Sequence, residues 1–366
     1  MTVFSAADRA YMAQALALAE RGLFTTTPNP RVGCVIVNDG SVLGEGWHAR
    51  AGELHAEVNA LIDAKSRSHD SRGATLYVTL EPCHHTGRTP PCTEAIIAAG
   101  IARVVAAIAD PNPAAHHGAE GLRAAGIRVD LGLGEAEARE QNAGFLSRMT
   151  RGRPWVRMKV AASLDGRTAL AGGESRWITG EEARADGHRW RARACAVMTG
   201  IGTVLQDDPE LSVRGVDTPR QPRRIVVDRK AETPACAKVL AGGDALMVIA
   251  RGRNSAWPAA IDVLELPDGN GRVDLAAMMR AFGQREVNEL HVEAGAGLNG
   301  ALLAAGLVDE LLLYLAPCLL GDPARGIAGF PGGLARLADR VPLAIHDVAR
   351  VGADLRVIAR VVQKET

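Results

Sequence analysis

His55-Ala56-Glu57, Glu81-Pro82-Cys83 and Cys92, the last after an eight-residue interval, restrict what this chain can fold into more than any other feature. One imidazole and two thiolates make a borderline-soft ligand set suited to tetrahedral zinc. A fold that uses them must bring the start of a helix, where His55 lies, to the end of a strand, where Cys83 lies. Three protein ligands leave one position for water, which is the catalytic arrangement; a structural site needs a fourth ligand. Glu57, two residues from His55, is placed to take a proton from that water and pass it on. The alternative is a structural Cys2His2 site with His84, His85 or Cys34 as the fourth ligand, and the paired Glu57 counts against it. Cys195, Cys236 and Cys318 read as small apolar core residues.

Hydrophobic spacing sets the frame around these residues. Helical patterns cover Ala6–Arg21 (with Ser5 as N-cap), Glu57–Lys65, Thr93–Ala99, Gly118–Ala125 and Glu135–Met149. Strand patterns cover Val32–Val37, Ser41–Trp47, Ala74–Leu80, Ala102–Ile108 and Ile127–Asp130, the first two joined across the turn Asn38-Asp39-Gly40. This alternation predicts a mixed or parallel sheet covered by helices. The basic Gly/Pro stretch ending at Pro154 marks a boundary, so two domains are expected, residues 1–150 and 151–366. Beyond it the chain reads as the strands Trp155–Ala161, Cys195–Thr199, Arg224–Asp228, Ala245–Ile249, Glu289–Glu293 and Leu311–Ala316, the helix Gly180–Ala194, and β-rich segments over Arg350–Val361.

Composition excludes several function classes. Lys+Arg and Asp+Glu are 42 each, so there is no basic surplus for nucleic acid. The longest apolar stretch, Ala301–Gly321, is interrupted by Asp309, Glu310 and Pro317, so no membrane span is expected. Met1–Glu20 reads as an amphipathic helix and not a signal peptide. Six cysteines are too few for a disulfide scaffold, which points to the cytoplasm.

The H-x-E plus P-C…C pattern is that of zinc-dependent nucleobase deaminases. Their usual C-x-x-C is replaced here by the long loop His84–Pro91, which can wall a pocket. Together with Pro28-Asn29-Pro30-Arg31-Val32-Gly33 and Thr79–Cys92, these motifs resemble the bifunctional riboflavin-biosynthesis deaminase/reductase family. The resemblance implies an α/β protein with an N-terminal cytidine-deaminase-like zinc domain and a C-terminal dihydrofolate-reductase-like domain. It implies hydrolytic deamination of a phosphoribosylamino-diaminopyrimidinone, then NADPH-dependent reduction of the ribosyl group to ribityl. Carried over, His55, Cys83 and Cys92 hold zinc, Glu57 shuttles the proton, and Asn29, His48, His85 and Arg88 line the pyrimidine site.

In the second half, Gly295-Ala296-Gly297-Leu298-Asn299-Gly300 matches G-x-G-x-x-G after a strand, but no acid ends the next strand, Leu311–Ala316, so a Rossmann domain is not expected. A dinucleotide-phosphate turn in another sheet fold and a glycine-rich helix entry for packing both stay open. Lys159–Arg167, Ser175–Gly180 and Gly202–Pro209 resemble the reductase half of the same family. That resemblance implies NADPH contacts at Ala161, Trp177, Thr203, Asp207, Arg229, Gly295, Ala296, Gly297, Leu298, Asn299, Gly300 and Ala301. Substrate contacts fall on Ser175, Arg191, Leu211, Arg214 and Glu293, with Asp207 assisting proton transfer and Lys159 as the second candidate. Each has an ordinary reading too: Asp207-Asp208-Pro209 as a turn, Arg191 on a solvated helix face, Trp177 in the core, Lys159 on the surface. Expected partners are phosphorylated pyrimidines, with no nucleic acid and no membrane, in a homo-oligomer of two or four chains. The rival readings are a nucleoside or RNA-base deaminase fused to an unrelated domain, and a non-catalytic nucleotide-binding protein with structural zinc.

Overall fold

A computed structural model describes residues 3–85, 90–113, 115 and 117–362, and Arg88 lies outside these described residues. The chain divides into two compact units, residues 1–152 and 153–366.

The first unit runs α1 (Ala6–Ala19), β1 (Gly33–Asn38), β2 (Ser41–Trp47), α2 (Ala56–Ser66), β3 (Thr75–Val78), α3 (Cys92–Ala98), β4 (Arg103–Ala106), α4 (Gly118–Ala124), β5 (Arg128–Leu131), α5 (Glu135–Gln141) and α6 (Ala143–Arg151). Its sheet has the order β2-β1-β3-β4-β5. The β1–β2 and β1–β3 pairs are antiparallel, and β3–β4 and β4–β5 are parallel, which makes the sheet mixed. Ser5 caps α1 reciprocally with Asp8, satisfying two of the helix's free N–H groups. Asp39 and Gly40 both take positive φ in the β1–β2 turn, as a two-residue hairpin requires. Gly46 on β2 lets α2 sit hard against the sheet: a Cβ there would lie 2.4 Å from the Ala56 carbonyl oxygen. That close packing fixes the N-terminus of α2, which carries His55 and Glu57.

The single helix expected over Glu135–Met149 is instead two. The break falls at Asn142, which leaves helical geometry because its side chain is spent on another segment. Its Oδ1 accepts from the Arg31 N–H at 2.8 Å and its Nδ2 donates to the Arg31 carbonyl at 2.9 Å. A side chain that mimics a strand partner costs the helix one residue of continuity.

The second unit runs β6 (Trp155–Ser163), β7 (Arg167–Ala169), α7 (Glu181–Arg193), β8 (Ala196–Gly200), α8 (Ile201–Asp207), β9 (Arg223–Val227), β10 (Ala245–Ile249), β11 (Asp262–Glu265), α9 (Leu275–Gln284), β12 (Glu289–Val292), α10 (Ala296–Ala304), β13 (Glu310–Ala316), β14 (Arg325–Gly326), β15 (Leu343–Val351) and β16 (Asp354–Val361). Its main sheet has the order β11-β10-β9-β8-β12-β6-β13-β16-β15. The strands from β11 to β13 are parallel, and the β15–β16 hairpin closes one side antiparallel. Parallel strands buried on both faces read as continuous apolar runs, as Ala245–Ile249 does with every residue buried. Val156, Met158, Met198, Leu246, Phe282 and Leu290 lie in one core cluster of this unit. Among the described residues no helix is long and apolar enough to cross a membrane.

Candidate active sites

In the first unit, His55 is the N-cap of α2, Cys83 follows β3 and Cys92 opens α3. The topology therefore brings three ligands from three elements to one point. His55 Nδ1 lies 3.2 Å from Cys92 Sγ and 3.6 Å from Cys83 Sγ, and the three donor atoms lie within 4.8 Å of one another. Zn–S and Zn–N bonds of about 2.3 and 2.0–2.1 Å in a tetrahedron give donor separations of about 3.5–3.8 Å. The His/Cys/Cys set thus fits zinc in donor chemistry and in spacing. Among the described residues no fourth His, Cys, Asp or Glu joins the cluster. His84 turns away, its Nδ1 at 3.0 Å from Thr93 Oγ1.

Glu57, in the first turn of α2, is buried with 4 % of its surface exposed. Burial pushes its carboxyl up to about 7, against the opposing pull of His55. Hydrogen bonds from Cys92 and His55 outweigh burial at Cys83 and hold that thiol down at about 4, while the bond to Cys83 and burial push Cys92 up.

Asn29 and His48 meet beside this centre. Asn29 Nδ2 lies 3.0 Å from His48 Nε2, and His48 Nδ1 lies 3.1 Å from the Leu54 carbonyl. An amide donor on one nitrogen and a carbonyl acceptor on the other fix a neutral ring with its proton on Nδ1. Burial lowers the His48 pKa, in keeping with that state. The rings of His48 and His55 stack edge to face at 5.3 Å. His85 keeps a buried Nδ1 without a hydrogen-bond partner among the described residues.

Two further acids shape the site and were not singled out as ligands or contacts in the sequence. Glu81 accepts from the Ala119 N–H at 2.7 Å and the Asp110 N–H at 3.1 Å, tying the strand end that bears Cys83 to the loop after β4. Asp110 feels the charges of Glu81, Cys83 and His55 and is pushed up to about 6, chiefly by burial. The Pro-flanked Asp110-Pro111-Asn112 turn after a strand is the signal that marks it.

In the second unit, a cavity of about 1350 Å³ opens at the ends of the parallel strands. Lys159, Ala161, Ser175, Trp177, Thr203, Asp207, Arg229, Glu293, Gly295, Ala296, Gly297, Leu298 and Ala301 line it. Trp177 is 70 % exposed and belongs to the cavity wall, not the core, with the Arg184 guanidinium 4.6 Å over its ring. Asp207 ends α8 and faces the cavity, whereas Asp208 is the turn residue, accepting from the Lys238 N–H at 2.9 Å. Arg176 Nη2 donates to the Asp207 carbonyl at 2.9 Å and lies 3.6 Å from its Oδ1.

The glycine-rich segment divides by helix face. Gly295, Ala296, Gly297, Leu298 and Ala301 put the N-terminal turn of α10 at the cavity, where free backbone N–H groups favour an anion. Asn299 and Gly300 point the other way. Asn299 Nδ2 donates to the Ile327 carbonyl at 3.1 Å, and a Cβ on Gly300 would lie 2.0 Å from the Gly329 carbonyl oxygen. The third glycine of the motif serves packing, and these two residues do not reach the cavity.

Arg191, Leu211 and Arg214 are likewise absent from the cavity lining. Arg191 grips Glu293 with two bonds, Nε to Oε1 at 2.5 Å and Nη2 to Oε2 at 2.9 Å, and its Nη1 donates to the Ser212 carbonyl at 2.9 Å. These bonds use three of the five guanidinium N–H donors, and the paired fork faces Glu293. Leu211 is buried at positive φ in the turn below, and Arg214 is exposed beside Glu210 at 3.1 Å. Burial would raise the Glu293 carboxyl, but Arg191 holds it well below the usual range; burial pushes the Lys159 ammonium down against the pull of Glu293.

Residues 5–108 match the family model described as the cytidine and deoxycytidylate deaminase zinc-binding region, and residues 154–355 match the RibD C-terminal domain. The riboflavin biosynthesis protein RibD of Escherichia coli (strain K12) is 48% identical over 362 residues, covering 95% of this chain and 98% of that protein. The solved structure of Acinetobacter baumannii RibD, form 1, is 42% identical with a TM-score of 0.90, covering 98% of this chain and 99% of that one. A diaminohydroxyphosphoribosylaminopyrimidine deaminase/5-amino-6-(5-phosphoribosylamino)uracil reductase from Thermotoga maritima is 32% identical with a TM-score of 0.89, covering 97% and 99%.

Proposed function

The chain belongs to the RibD family of riboflavin-biosynthesis proteins, and from that premise we infer which of its residues carry each of the two activities. The protein is a zinc-dependent deaminase and an NADPH-dependent reductase of riboflavin biosynthesis. Deamination of 2,5-diamino-6-(5-phosphoribosylamino)pyrimidin-4-one is assigned to residues 1–152. Reduction of 5-amino-6-(5-phosphoribosylamino)uracil is assigned to residues 153–366. The observation that supports this division most is that the His55/Cys83/Cys92 cluster lies in one compact unit and the cavity lined by Lys159, Trp177 and the α10 turn lies in the other.

His55, Cys83 and Cys92 would hold the zinc, which when bound supplies a Lewis acid that makes water nucleophilic near neutral pH. The Glu57 carboxyl takes a proton from the attacking water and gives it to the departing amino nitrogen. A carboxyl near 7 suits both halves of that transfer, because neither proton state is strongly preferred. Asn29 and neutral His48 orient the pyrimidine, with His85 beside them.

NADPH supplies hydride in the second site when bound. The first turn of α10 would seat its pyrophosphate, Trp177, Thr203 and Ala161 would contact its body, and Arg229 would meet the 2′-phosphate. Reduction adds hydride at C1′ of the opened ribosyl group and needs one proton besides. Lys159 is favoured over Asp207 as its source, because burial loosens the Lys159 proton. Ser175 and Glu293 contact the ribosyl group. Arg191 acts by fixing Glu293, and Arg214 is left as the exposed charge available to the 5′-phosphate. The same reading takes the protein as a cytoplasmic homo-oligomer that binds no nucleic acid.

Expression of residues 1–152 and 153–366 as separate proteins tests the assignment. The first piece should release ammonia without NADPH, and the second should oxidise NADPH on the uracil substrate without zinc. A second piece that reduces its substrate only when zinc and the first piece are present would show that the division is wrong.

A further inference from the structure

Hydrogen bonds tie residues 211–214 to α7. Arg191 Nη1 donates to the Ser212 carbonyl at 2.9 Å, and the Arg214 N–H donates to His188 Nδ1 at 3.2 Å. His188 and Arg191, three residues apart, share one face of the helix. Arg191 also holds Glu293, so this segment starts one guanidinium beyond a carboxylate that lines the cavity.

The bond from the Arg214 N–H sets the state of the His188 ring. Nδ1 is the acceptor, so the proton of the neutral ring is on Nε2, which makes Nε2–H a donor. Burial first, then the charges of Arg191 and Arg214, hold the ring's pKa down at about 4; Glu293 pulls the other way and Lys159 adds to the cations. His188 is half-buried, and its Nε2 keeps contact with solvent and has no hydrogen-bond partner among the described residues.

Tying down the segment needs only an acceptor on α7. A carboxylate would do that and offset the neighbouring cations as well, whereas a neutral imidazole leaves the positive surplus in place and adds a donor to it. With Glu293 paired to Arg191, the charges left over around the ring are those of Arg214 and Lys159. The Arg214 pair with Glu210, at 3.1 Å, is exposed and costs little to open. An accessible N–H beside an available guanidinium suits a dianion such as a phosphate monoester.

We propose that His188 is a substrate-binding residue of the reductase unit, its Nε2–H donating to the 5′-phosphate of the uracil substrate beside the Arg214 guanidinium. The inference rests on the reading that Arg214 is available to that phosphate.

The test uses the full chain and three variants, His188→Asn, His188→Gln and Arg214→Gln. NADPH oxidation is measured on the phosphorylated uracil substrate and on its dephosphorylated form. Asparagine keeps an acceptor near the position of Nδ1 and loses the donor at Nε2; glutamine carries a donor to about the reach of Nε2. For His188→Asn, kcat/KM on the phosphorylated substrate should fall roughly 10-fold, the effect of one hydrogen bond to a charged group. On the dephosphorylated form it should stay within about two-fold, because the lost bond is to the phosphate. His188→Gln should hold the preference for the phosphorylated form to within about three-fold of wild type. An Asn variant that slows both substrates alike, or neither, would overturn the proposal, as would a Gln variant whose preference falls as far as that of Asn. Should the Asn protein not fold, His188→Ala takes its place, judged by the ratio of the two substrates. If Arg214→Gln keeps the full preference, the phosphate is not bound at this face and the proposal falls with the reading beneath it. Loss of preference in Arg214→Gln with none in His188→Asn overturns the role of His188 alone.

Discussion

A Glu57→Gln protein is expected to retain one zinc per chain and to release ammonia roughly 10²- to 10⁴-fold more slowly than wild type. Glutamine keeps the size of the side chain in a site that is almost closed to solvent, so packing at the first turn of α2 is preserved. It removes a group that is poised to exchange a proton near pH 7. The metal should be unaffected, because the three donors that converge are His55, Cys83 and Cys92. Metal analysis and ammonia release on one preparation make the check. Zinc lost together with activity would make Glu57 a ligand, and ammonia release within a few-fold of wild type would remove it from the chemistry.

Arg157→Leu is expected to destabilise the second unit by about 3–5 kcal/mol, the range found when one partner of a buried ion pair is removed. Arg157 is nearly inaccessible, its Nε bonded to Glu310 and its Nη1 to Glu289 at 3.0 Å, with the Trp190 ring 4.4 Å from the guanidinium carbon. Leucine leaves two buried carboxylates that Arg193 and Arg360 only partly compensate. For a unit of this size the melting temperature should fall by roughly 6–20 °C. Arg157→Lys keeps the charge but not the fork, so it should recover only part of the loss. Calorimetry of the full chain reads the two units as separate or overlapping transitions. A Leu variant whose transitions all lie within about 2 °C of wild type would mean that the remaining arginines suffice.

The metal centre was legible because its constraint is local and chemical. His55, Glu57, Cys83 and Cys92 can do little else at that spacing, and each stands at the end of an element whose pattern is clear. The hairpin turn at Asp39-Gly40 was legible for the same reason. What escaped depends on contacts far apart in the chain. Asn142 breaks a good helical pattern because Arg31, more than a hundred residues away, takes up its side chain. Arg157, Glu289 and Glu310 look like surface charges on strands until the sheet order puts β12, β6 and β13 side by side. Arg191 belongs to a basic run that reads as a solvated helix face or as a substrate contact, and its ion pair with Glu293 shows only when β12 is seen beside it. The glycine-rich motif was half legible: periodicity locates the turn, but only the contact with Gly329 shows that Gly300 is there for packing.

The central claim is that deamination belongs to the His55/Cys83/Cys92 centre and reduction to a separate cavity. Chelation of the intact protein, with both reactions followed on the same sample, tests it most directly. After zinc removal, ammonia release from the diaminopyrimidinone should vanish and return on adding zinc back. NADPH oxidation at 340 nm with the already deaminated uracil substrate should stay within about two-fold throughout, since metal binding shifts only the part of the fold to which it is linked. Ammonia release that survives complete loss of zinc, or reduction that disappears in step with it, would contradict the account.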